Sequence, residues 1–318
     1  MKVALCFIIS YDHILNKEAI WRKWIEPNKD IINIYFYYKD LKKIKSPWIL
    51  KHALPEKLIH DTSYYHVIPA YIGLMQYATN QDSNNKWLCM LTESCCPIIS
   101  PKRFRYLFFN NYEKSIMSWK PSWWNINVHK RANLALLPQD LRLANDPWFV
   151  LKRENVLHIL NFVYKQTEVV KTICDGGLAN ESLFAIILHG YKQLENRKSL
   201  ISAVTHLADW DRMGSSTSPH TFKHANGMDI EFINKNLEKN KYAMFIRKVA
   251  PEFPEDILKN YIYDRYREKD NQLVIREPLL MIWFRFKLYL LFFFCYGFPL
   301  FFIIYGLNYF NTFFILYN

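Results

Sequence analysis

Residues 87–98 read WLCMLTESCCPI, an apolar run that ends abruptly in small and polar side chains. Residues 87–91 have the composition of a buried strand, and Pro97 is expected to stop further strand pairing. Glu93 follows directly at the strand exit. In an open α/β sheet, ligands bind beyond the carboxyl ends of the strands. Two interpretations follow: a wall of a ligand site, or a buried strand with an ordinary turn after it.

The composition is that of a well-packed protein with an excess of positive charge. The chain has 318 residues, of which 51% are hydrophobic and 17% aromatic, and its formal net charge is +12. Such a chain holds one large α/β domain or two small ones and is not disordered. Its Lys and Arg residues are scattered and form no run of five or more. Nucleic acid is therefore not an expected partner.

The cysteines show no pattern of disulfides or metal ligands. The chain contains six of them: Cys6, Cys89, Cys95, Cys96, Cys174 and Cys295. No C-x-x-C pair occurs, the adjacent Cys95 and Cys96 are poor partners for each other, and no zinc-site spacing is present. Three of the six lie in apolar runs, where a free thiol packs as a small hydrophobic group. This usage favours a reducing compartment.

Both ends of the chain are apolar, but they differ in length. Residues 3–9 form a short run with no small-residue cleavage site after it, which favours a first strand over a signal peptide. Residues 288–318 carry no charged side chain, and at ~1.5 Å per residue they are long enough to cross a ~30 Å hydrocarbon core. Basic residues precede this run, so the preceding domain is expected in the cytosol if the run is the only anchor. A buried pair of core helices is the alternative.

Strand-like and helix-like segments alternate along most of the chain. Runs rich in β-branched and aromatic residues predict strands at 3–9, 31–38, 87–91, 148–151 and 203–208, and a strand or an apolar turn at 242–249. Amphipathic patterns predict helices at 17–24, 67–77, 101–109, 152–164, 181–188 and 254–266. The alternation predicts a mixed or parallel α/β sheet within one domain.

Several short motifs follow one another in a set order. They are AIWRKW (19–24), WLCMLTESCCPI, DPWFVLKRENV (146–156), NESLFAIIL (180–188), HLADWDRMGSSTSPHTF (206–222) and MFIRKV (244–249). Their order and spacing resemble the core-2/I-branching β1,6-N-acetylglucosaminyltransferase family, especially its divergent plant and microbial relatives. The resemblance covers roughly residues 2–250. It implies a GT-A type fold, a Rossmann-like mixed sheet flanked by helices, over residues 1–277, with the hydrophobic membrane segment over 278–318.

The resemblance also implies an inverting glycosyl transfer that needs no divalent metal. The general base of the family aligns with Glu181, although Asn180 stands where the family has an acid. A cation that contacts the leaving diphosphate matches Lys248, with Arg247 beside it, and the nearest match for a second family cation is Lys223. From the residues alone, Glu181 is equally a first-turn helix residue. The Arg247–Lys248 pair is equally a solvated strand end.

Further donor-side residues follow from the same resemblance. Glu93 and Ser94 lie where the family strand enters the donor site, so Ser94 is expected to bond a phosphate or ribose hydroxyl, and Glu93 to play a supporting role. Tyr11 and Asp12 follow the first strand. GT-A folds usually receive the nucleotide base at that place, which makes this assignment one of fold analogy.

The segment resembling the family's D-W-S and H-P loop is expected to shape the acceptor side. Trp210 and His220 belong to it, and an aromatic face can stack on a sugar ring. The triplet Asp209-Trp210-Asp211 has the letters of a D-x-D metal motif, but it falls in this late loop and is not interpreted as a metal site. Trp148 is expected to brace the fold.

These observations predict a membrane-attached, metal-independent glycosyltransferase that uses no cofactor. Its donor is a UDP-sugar carrying N-acetylglucosamine or a similar sugar, and its acceptor is a glycan or glycoprotein hydroxyl. The alternative is a non-catalytic, membrane-tethered, glycan-binding relative of the family, which the replacement at Asn180 favours. A basic nucleic-acid-binding protein is the third possibility, and the scattered charge argues against it.

Overall fold

The computed structural model of the chain describes residues 1–9, 12–215 and 218–278. Contacts within the chain divide it after Val274, and the unit described below is Met1–Val274. The predicted membrane segment, residues 278–318, lies outside the described residues except for Pro278, and its boundary stays a prediction. Among the helices of the described residues, none is long and apolar enough to cross a membrane.

The strands of the described residues are short, apart from three near the amino terminus. They are β1 (Lys2–Ile8), β2 (Ile32–Tyr37), β3 (Asn85–Thr92), β4 (Cys96–Pro97), β5 (Ser115–Ile116), β6 (Trp119–Pro121), β7 (Leu143–Asn145), β8 (Val150–Lys152), β9 (Leu200–Ile201), β10 (His206–Ala208) and β11 (Phe245–Arg247). The three long strands are those predicted at residues 31–38, 87–91 and 3–9.

A six-stranded sheet lies at the centre, in the order β2–β1–β3–β8–β5–β9. β1 pairs in parallel with both β2 and β3, whereas β8 runs antiparallel to β3. The interior residues of β1 are all buried, as expected for a parallel strand covered on both faces. A smaller sheet, β10–β11–β4, stands beside it. The mixed α/β sheet fits the predicted GT-A type fold.

Helices cover this sheet and connect its strands. They are α1 (Glu18–Ile25), α2 (Pro47–Lys51), α3 (Ile68–Gln81), α4 (Pro101–Asn111), α5 (Arg153–Lys165), α6 (Thr167–Asp175), α7 (Leu183–Gly190), α8 (Gly227–Lys239), α9 (Glu255–Lys259) and α10 (Arg267–Asn271). Four of these helices, α2, α6, α8 and α10, were not predicted from the sequence. An N-cap signal for α8 was present, because the side chain of Asn226 accepts a hydrogen bond from the backbone N–H of Asp229.

The predicted helix at 181–188 is wrong in its first turn. A 3₁₀ helix, Ala179–Glu181, precedes α7, and Ser182 separates the two with non-helical dihedral angles. Glu181 is therefore not a first-turn residue of α7. This contradicts the interpretation of Glu181 as an acid favoured only by a helix dipole.

The W-x-x-W helix α1 supports the turn that follows β3. The indole N–H of Trp21 donates to the carbonyl of Cys95 at 3.0 Å, and that of Trp24 donates to the carbonyl of Ile99 at 2.8 Å. Both indoles are fully buried. Two buried donors thus satisfy backbone acceptors in an irregular segment, which holds the turn in one place.

The same turn carries β11 into position. In β4, Cys96 pairs with Ile246 and Pro97 with Phe245, so Pro97 does not end strand pairing as expected. The backbone N–H of Val249 donates to the carbonyl of Ser94 at 2.8 Å. Arg247 and Lys248 lie between Ile246 and Val249. The end of WLCMLTESCCPI therefore places two cations beside the carboxyl end of β3.

Candidate functional site

A cavity of about 200 Å³ opens at the carboxyl ends of β1, β2 and β3. Parallel strands bring these ends to one edge of the sheet, where ligands bind in open α/β folds. The lining also includes residues 62–64 before α3, the segment just before β8, and Leu178 with the 3₁₀ helix that follows it. Its ionisable side chains include Lys39, Glu93, Glu181, Arg247 and Lys248.

The exit of β3 forms one wall of this cavity. Thr92 and Glu93 belong to the lining, whereas Ser94 lies behind it and is 8% exposed. The Ser94 hydroxyl is 3.4 Å from that of Thr92. Cys95 and Cys96 are fully buried, and burial raises the pKa of both thiols. The two cysteines therefore pack as small hydrophobic groups. Because Thr92 and Glu93 line the cavity, the strand exit is a cavity wall rather than an ordinary turn.

Arg247 is a buried cation at this wall. It is 5% exposed, and its Nη1 donates to Thr92 Oγ1 at 3.3 Å. Its guanidinium carbon lies 3.4 Å from the centroid of the Trp148 ring, which is a cation–π contact. Burial lowers the pKa of Arg247, and its Nε is buried without a hydrogen-bond partner among the described residues. The interpretation of the Arg247–Lys248 pair as a solvated strand end is wrong.

Lys248 faces the same cavity from the next position. Its Nζ donates to Ser218 Oγ at 2.8 Å. Burial, and after it the charge of Arg247, lowers the pKa of Lys248. Two neighbouring cations that are both kept from water have a strong need for an anion.

Glu181 lies on the cavity as well, from the 3₁₀ helix before α7. Its side chain is 19% exposed, and Oε2 is 3.4 Å from Nη1 of Arg131. Burial raises the pKa of Glu181, Arg131 opposes that shift, and Asp146 adds to it. A carboxylate whose pKa is raised towards the operating pH is well suited to accept a proton.

Two tryptophans form an aromatic part of the cavity wall. The rings of Trp148 and Trp210 are nearly parallel, at 18° and 6.5 Å between centroids. Trp210 is 41% exposed and Trp148 is 9% exposed, and both line the cavity. Trp148 was expected only to brace the fold. Its position in the chain just before β8 gave no sign that its ring contacts the guanidinium of Arg247.

Those of the remaining predicted site residues that the structure describes do not line the cavity. Lys223 is exposed and His220 is turned towards α8. Asp12 is exposed and absent from the lining, and Tyr11 lies outside the described residues. Ser94, as noted, lies behind the wall. Local sequence could not separate these residues from Arg247, because the fold alone decides which way each loop turns.

A buried charge network holds the loop that carries Trp210. Arg212 Nε donates to Asp209 Oδ2 at 2.6 Å, and Arg212 Nη1 donates to Asp229 Oδ1 at 2.9 Å. His220 Nε2 lies 3.0 Å from the same Asp229 oxygen. Asp209 is 2% exposed and its carboxylate faces this arginine. Within the described part of the chain, no cluster of His, Cys, Asp and Glu could hold a metal ion.

Removing Arg212 is expected to destabilise the fold. Arg212→Met leaves two buried carboxylates without their charged donor, and hydrogen bonds to charged groups are worth about 1.5–3 kcal/mol each. We expect a loss of about 2–3 kcal/mol in the free energy of unfolding, measured by urea denaturation.

The exposed pair Lys259–Glu255 provides the matched control for that variant. Both side chains are more than 40% exposed, so Lys259→Met is expected to change the free energy of unfolding by less than about 0.5 kcal/mol. Equal losses in the two variants would contradict a structural role for the Arg212 network.

Some cavity residues were not predicted from the sequence. Tyr71 on α3 lines the cavity, and its hydroxyl donates to the carbonyl of Pro147 at 2.8 Å. Tyr64 and Lys39 also line it, from the stretch between the predicted strand at 31–38 and the predicted helix at 67–77. The only available signal was their place after the second strand, at the same sheet edge as Glu93.

The cavity combines a base and an anion-binding pair. Glu181 can accept a proton, and Arg247 with Lys248 can hold an anionic leaving group. All three line one cavity at the carboxyl ends of parallel strands. This arrangement, in a cavity at the sheet edge of an α/β fold, is compatible with a group-transfer reaction.

The comparison with protein families identifies the class further. The model of the Core-2/I-Branching enzyme family matches residues 36–236, which is more than half of the chain. The chain belongs to this family of acetylglucosaminyltransferases, and it is a glycosyltransferase. The matched region includes Glu93 and Glu181, whereas β1, Arg247 and Lys248 lie outside it. A comparison with curated proteins gave no significant match.

Proposed function

We propose that the protein is an inverting glycosyltransferase that moves a sugar from a UDP-sugar to a hydroxyl of a glycan or glycoprotein. The transferred sugar is N-acetylglucosamine or a similar sugar. Glu181 is the general base that takes the proton of the acceptor hydroxyl. Arg247 and Lys248 neutralise the diphosphate that leaves from the opposite face of the sugar.

The observation that carries this proposal is that Glu181 and the two cations line a single cavity. An inverting displacement needs its base on one side of the reacting carbon and stabilisation of the leaving group on the other. A bound diphosphate would also satisfy the buried guanidinium of Arg247, whose Nε has no partner among the described residues.

The same cations support transfer without a divalent metal. Arg247 and Lys248 supply two positive charges in a partly dry site, where charge stabilisation is stronger than in water. The carboxylate of Asp209, in the D-x-D-like triplet, is already engaged by Arg212. We therefore propose that no metal cofactor takes part.

Different lining residues of the cavity suit different parts of the reaction. Ile8, Ile9 and Tyr37 stand at the ends of β1 and β2, and we propose that the nucleotide binds there. The half-exposed ring of Trp210 is the proposed stacking surface for the acceptor sugar. Placement of the nucleotide base near Asp12 and Tyr11 stays a prediction by fold analogy.

A non-catalytic, glycan-binding role is the second candidate. Its support is that Glu181 already has a counter-ion in Arg131, and that Asn180 precedes it. A residue held in an ion pair serves structure as readily as catalysis. Turnover separates the two candidates, since both bind sugars.

Membrane attachment through residues 278–318 belongs to the proposal and not to the structure. The supporting fact is the absence of charged residues from 288 to 318. On this view the catalytic domain is attached to a membrane and faces the cytosol if the segment is the only anchor. A cytosolic domain would meet acceptors other than the secretory glycoproteins usual for the family.

The test of the proposed function is a screen of nucleotide sugars with the full chain in EDTA. Thermal shift identifies the donor that binds, and release of UDP with and without glycan acceptors measures turnover. We expect one UDP-sugar to raise the melting temperature and to be turned over at an undiminished rate in EDTA. Binding without UDP release would favour the glycan-binding candidate, and turnover that requires an added metal would contradict the metal-free proposal.

A further inference from the structure

Arg131 forms a partly buried ion pair with Glu181. Its Nη1 lies 3.4 Å from Glu181 Oε2, and the two side chains are 27% and 19% exposed. Within the described part of the chain, the side-chain hydrogen bond that the Glu181 carboxylate accepts comes from Arg131. The contact engages one carboxylate oxygen, so Oε1 stays available to an acceptor hydroxyl.

The backbone around Arg131 is fixed against the segment that carries Glu181. The N–H of Ala132 donates to the carbonyl of Gly177 at 2.9 Å. Gly176 packs so closely on the segment that follows Arg131 that a Cβ on Gly176 would lie 2.2 Å from the backbone nitrogen of Asn133. The guanidinium of Arg131 also lies 5.5 Å from the centroid of the Trp124 ring. Arg131 is thus held on both its backbone and its side chain.

A second buried charge acts on Glu181 with the opposite sign. Burial raises the pKa of Asp146 to about 6 and the charge of Asp146 raises the pKa of Glu181. The neighbouring Asn145 fixes the two segments together, because its side chain donates to the carbonyl of Asn180 at 2.9 Å and accepts from the N–H of Ala185 at 3.1 Å.

The ionisable groups that face Glu181 are few. Tyr71 faces it from α3, Arg131 from the 3₁₀ helix Arg131–Leu136, and Asp146 from the segment after β7. Glu93, Arg247 and Lys248 line the same cavity across from it. Arg131 is the cation with a direct contact.

We propose that Arg131 is a positioning residue for the general base, which keeps the Glu181 carboxylate charged and oriented against the opposing charge of Asp146. This inference rests on the proposed function. Arg131 touches neither donor nor reacting atoms in this role and acts through Glu181 alone. The ion pair that favours the glycan-binding candidate is, on this view, part of the catalytic arrangement.

The sign of each effect on activity follows from the state that the base needs. Glu181 must be ionised to take a proton, so kcat/KM falls on the acid side as Glu181 becomes protonated. Removal of the Arg131 charge favours the neutral carboxyl and moves the acid limb to higher pH. Asp146 is itself ionised only near and above pH 6, so removal of its charge moves the part of the limb in that range to lower pH.

The experiment is the pH profile of kcat/KM for Arg131→Met, Arg131→Lys and Asp146→Asn in the full chain. We expect the acid limb to move up by about one pH unit in Arg131→Met, since an opposite charge at this range shifts a carboxyl pKa by about 1–3 units. Arg131→Lys is expected to restore most of the position, and Asp146→Asn to move the limb down. The KM for the donor is expected to stay within about twofold, because Arg131 does not bind the donor.

A structural role for Arg131 makes different predictions. In that case Arg131→Met would lower kcat evenly at all pH values without moving the limb, and this result overturns the proposal. An Arg131→Lys variant whose limb moves as far as that of Arg131→Met also overturns it, because the lysine keeps the positive charge. Asp146→Asn is an internal check on folding. In the parent, the pKa of Asp146 is raised from 3.8 to about 6 in the folded state. The parent therefore loses stability as the pH rises from about 4 to about 6. The variant is expected to escape that loss and melt higher at pH 8.

The outcome is distinguishable from failure of the proposed function. If no nucleotide sugar is turned over by the parent, the proposed function fails and no profile exists. If the parent is active but Glu181→Gln keeps its turnover, the base assignment fails. An active parent that depends on Glu181, with an unmoved limb in Arg131→Met, overturns the Arg131 proposal alone.

Discussion

Glu181→Gln is expected to lower kcat for glycosyl transfer by about 10²–10⁴-fold, the range typical of a lost general base. Gln keeps the size of the side chain but cannot accept the acceptor proton. The fold is expected to survive, because burial raises the pKa of Glu181 and a neutral side chain removes that penalty. Release of UDP in EDTA measures the activity, and the thermal shift with UDP measures retained donor binding.

Glu93→Gln is the matched comparison for that variant. Glu93 is the other carboxylate on the described cavity wall, and it follows β3 beside Arg247. Its charge acts on Arg247 and Lys248, the cations proposed to hold the leaving group, so we expect a smaller loss of kcat than for Glu181→Gln. A larger loss in Glu93→Gln would exchange the two roles. Normal turnover in Glu181→Gln would remove the base assignment.

Arg247→Met is expected to lower kcat by about 10²–10³-fold, as removal of one preorganised hydrogen-bond donor to a developing negative charge does in other transfer reactions. Negative charge grows on the diphosphate as the glycosidic bond breaks, and Arg247 meets it in a site kept from water. The loss is expected in kcat more than in KM if the charge matters most in the transition state. Steady-state kinetics with the donor identified by thermal shift measures both.

The same substitution is expected to leave the stability of the protein unchanged or raised. Arg247 is 5% exposed, burial lowers its pKa, and its Nε lacks a partner among the described residues. Replacement of a poorly satisfied buried charge by an apolar side chain of similar size is often neutral or stabilising. The lost cation–π contact with Trp148 offsets part of that gain. Loss of activity together with unfolding would contradict this account.

Two further cations calibrate the effect of Arg247→Met. Lys259→Met changes an exposed ion pair on α9, and it is expected to keep its activity. Lys223→Met is expected to lose less activity than Arg247→Met, because Lys223 is exposed and does not line the cavity. A loss as large as that of Arg247→Met would return Lys223 to the donor site.

Much of the sheet was predictable because its signals are local. The long buried strands β1, β2 and β3 are apolar runs with clear ends, and hydrophobic runs of that kind are legible without any tertiary information. The same is true of α1, whose tryptophans fall on one face. The short strands β4 to β9 were mostly missed, since pairs of two or three residues depend on their neighbours in space.

The site residues also differ in how far the sequence predicts them. Glu181 was found through the order of motifs, and its raised pKa and contact with Arg131 depend on residues about 35 to 50 positions away. Trp148 and Arg247 meet across a hundred residues. No local pattern encodes such contacts, because they arise only when separate segments are packed at one sheet edge.

The amino-acid sequence by itself determined the α/β class, the ends of the long strands and the family, through periodicity and motif order. The tertiary structure alone decided that WLCMLTESCCPI ends in a cavity wall, held by two indole N–H groups of α1 and paired with β11. It also decided that His220 turns to Asp229 and that Arg131 turns to Glu181. Charge and burial act over distances in space, so the chemistry of each side chain is settled by packing and not by its place in the chain.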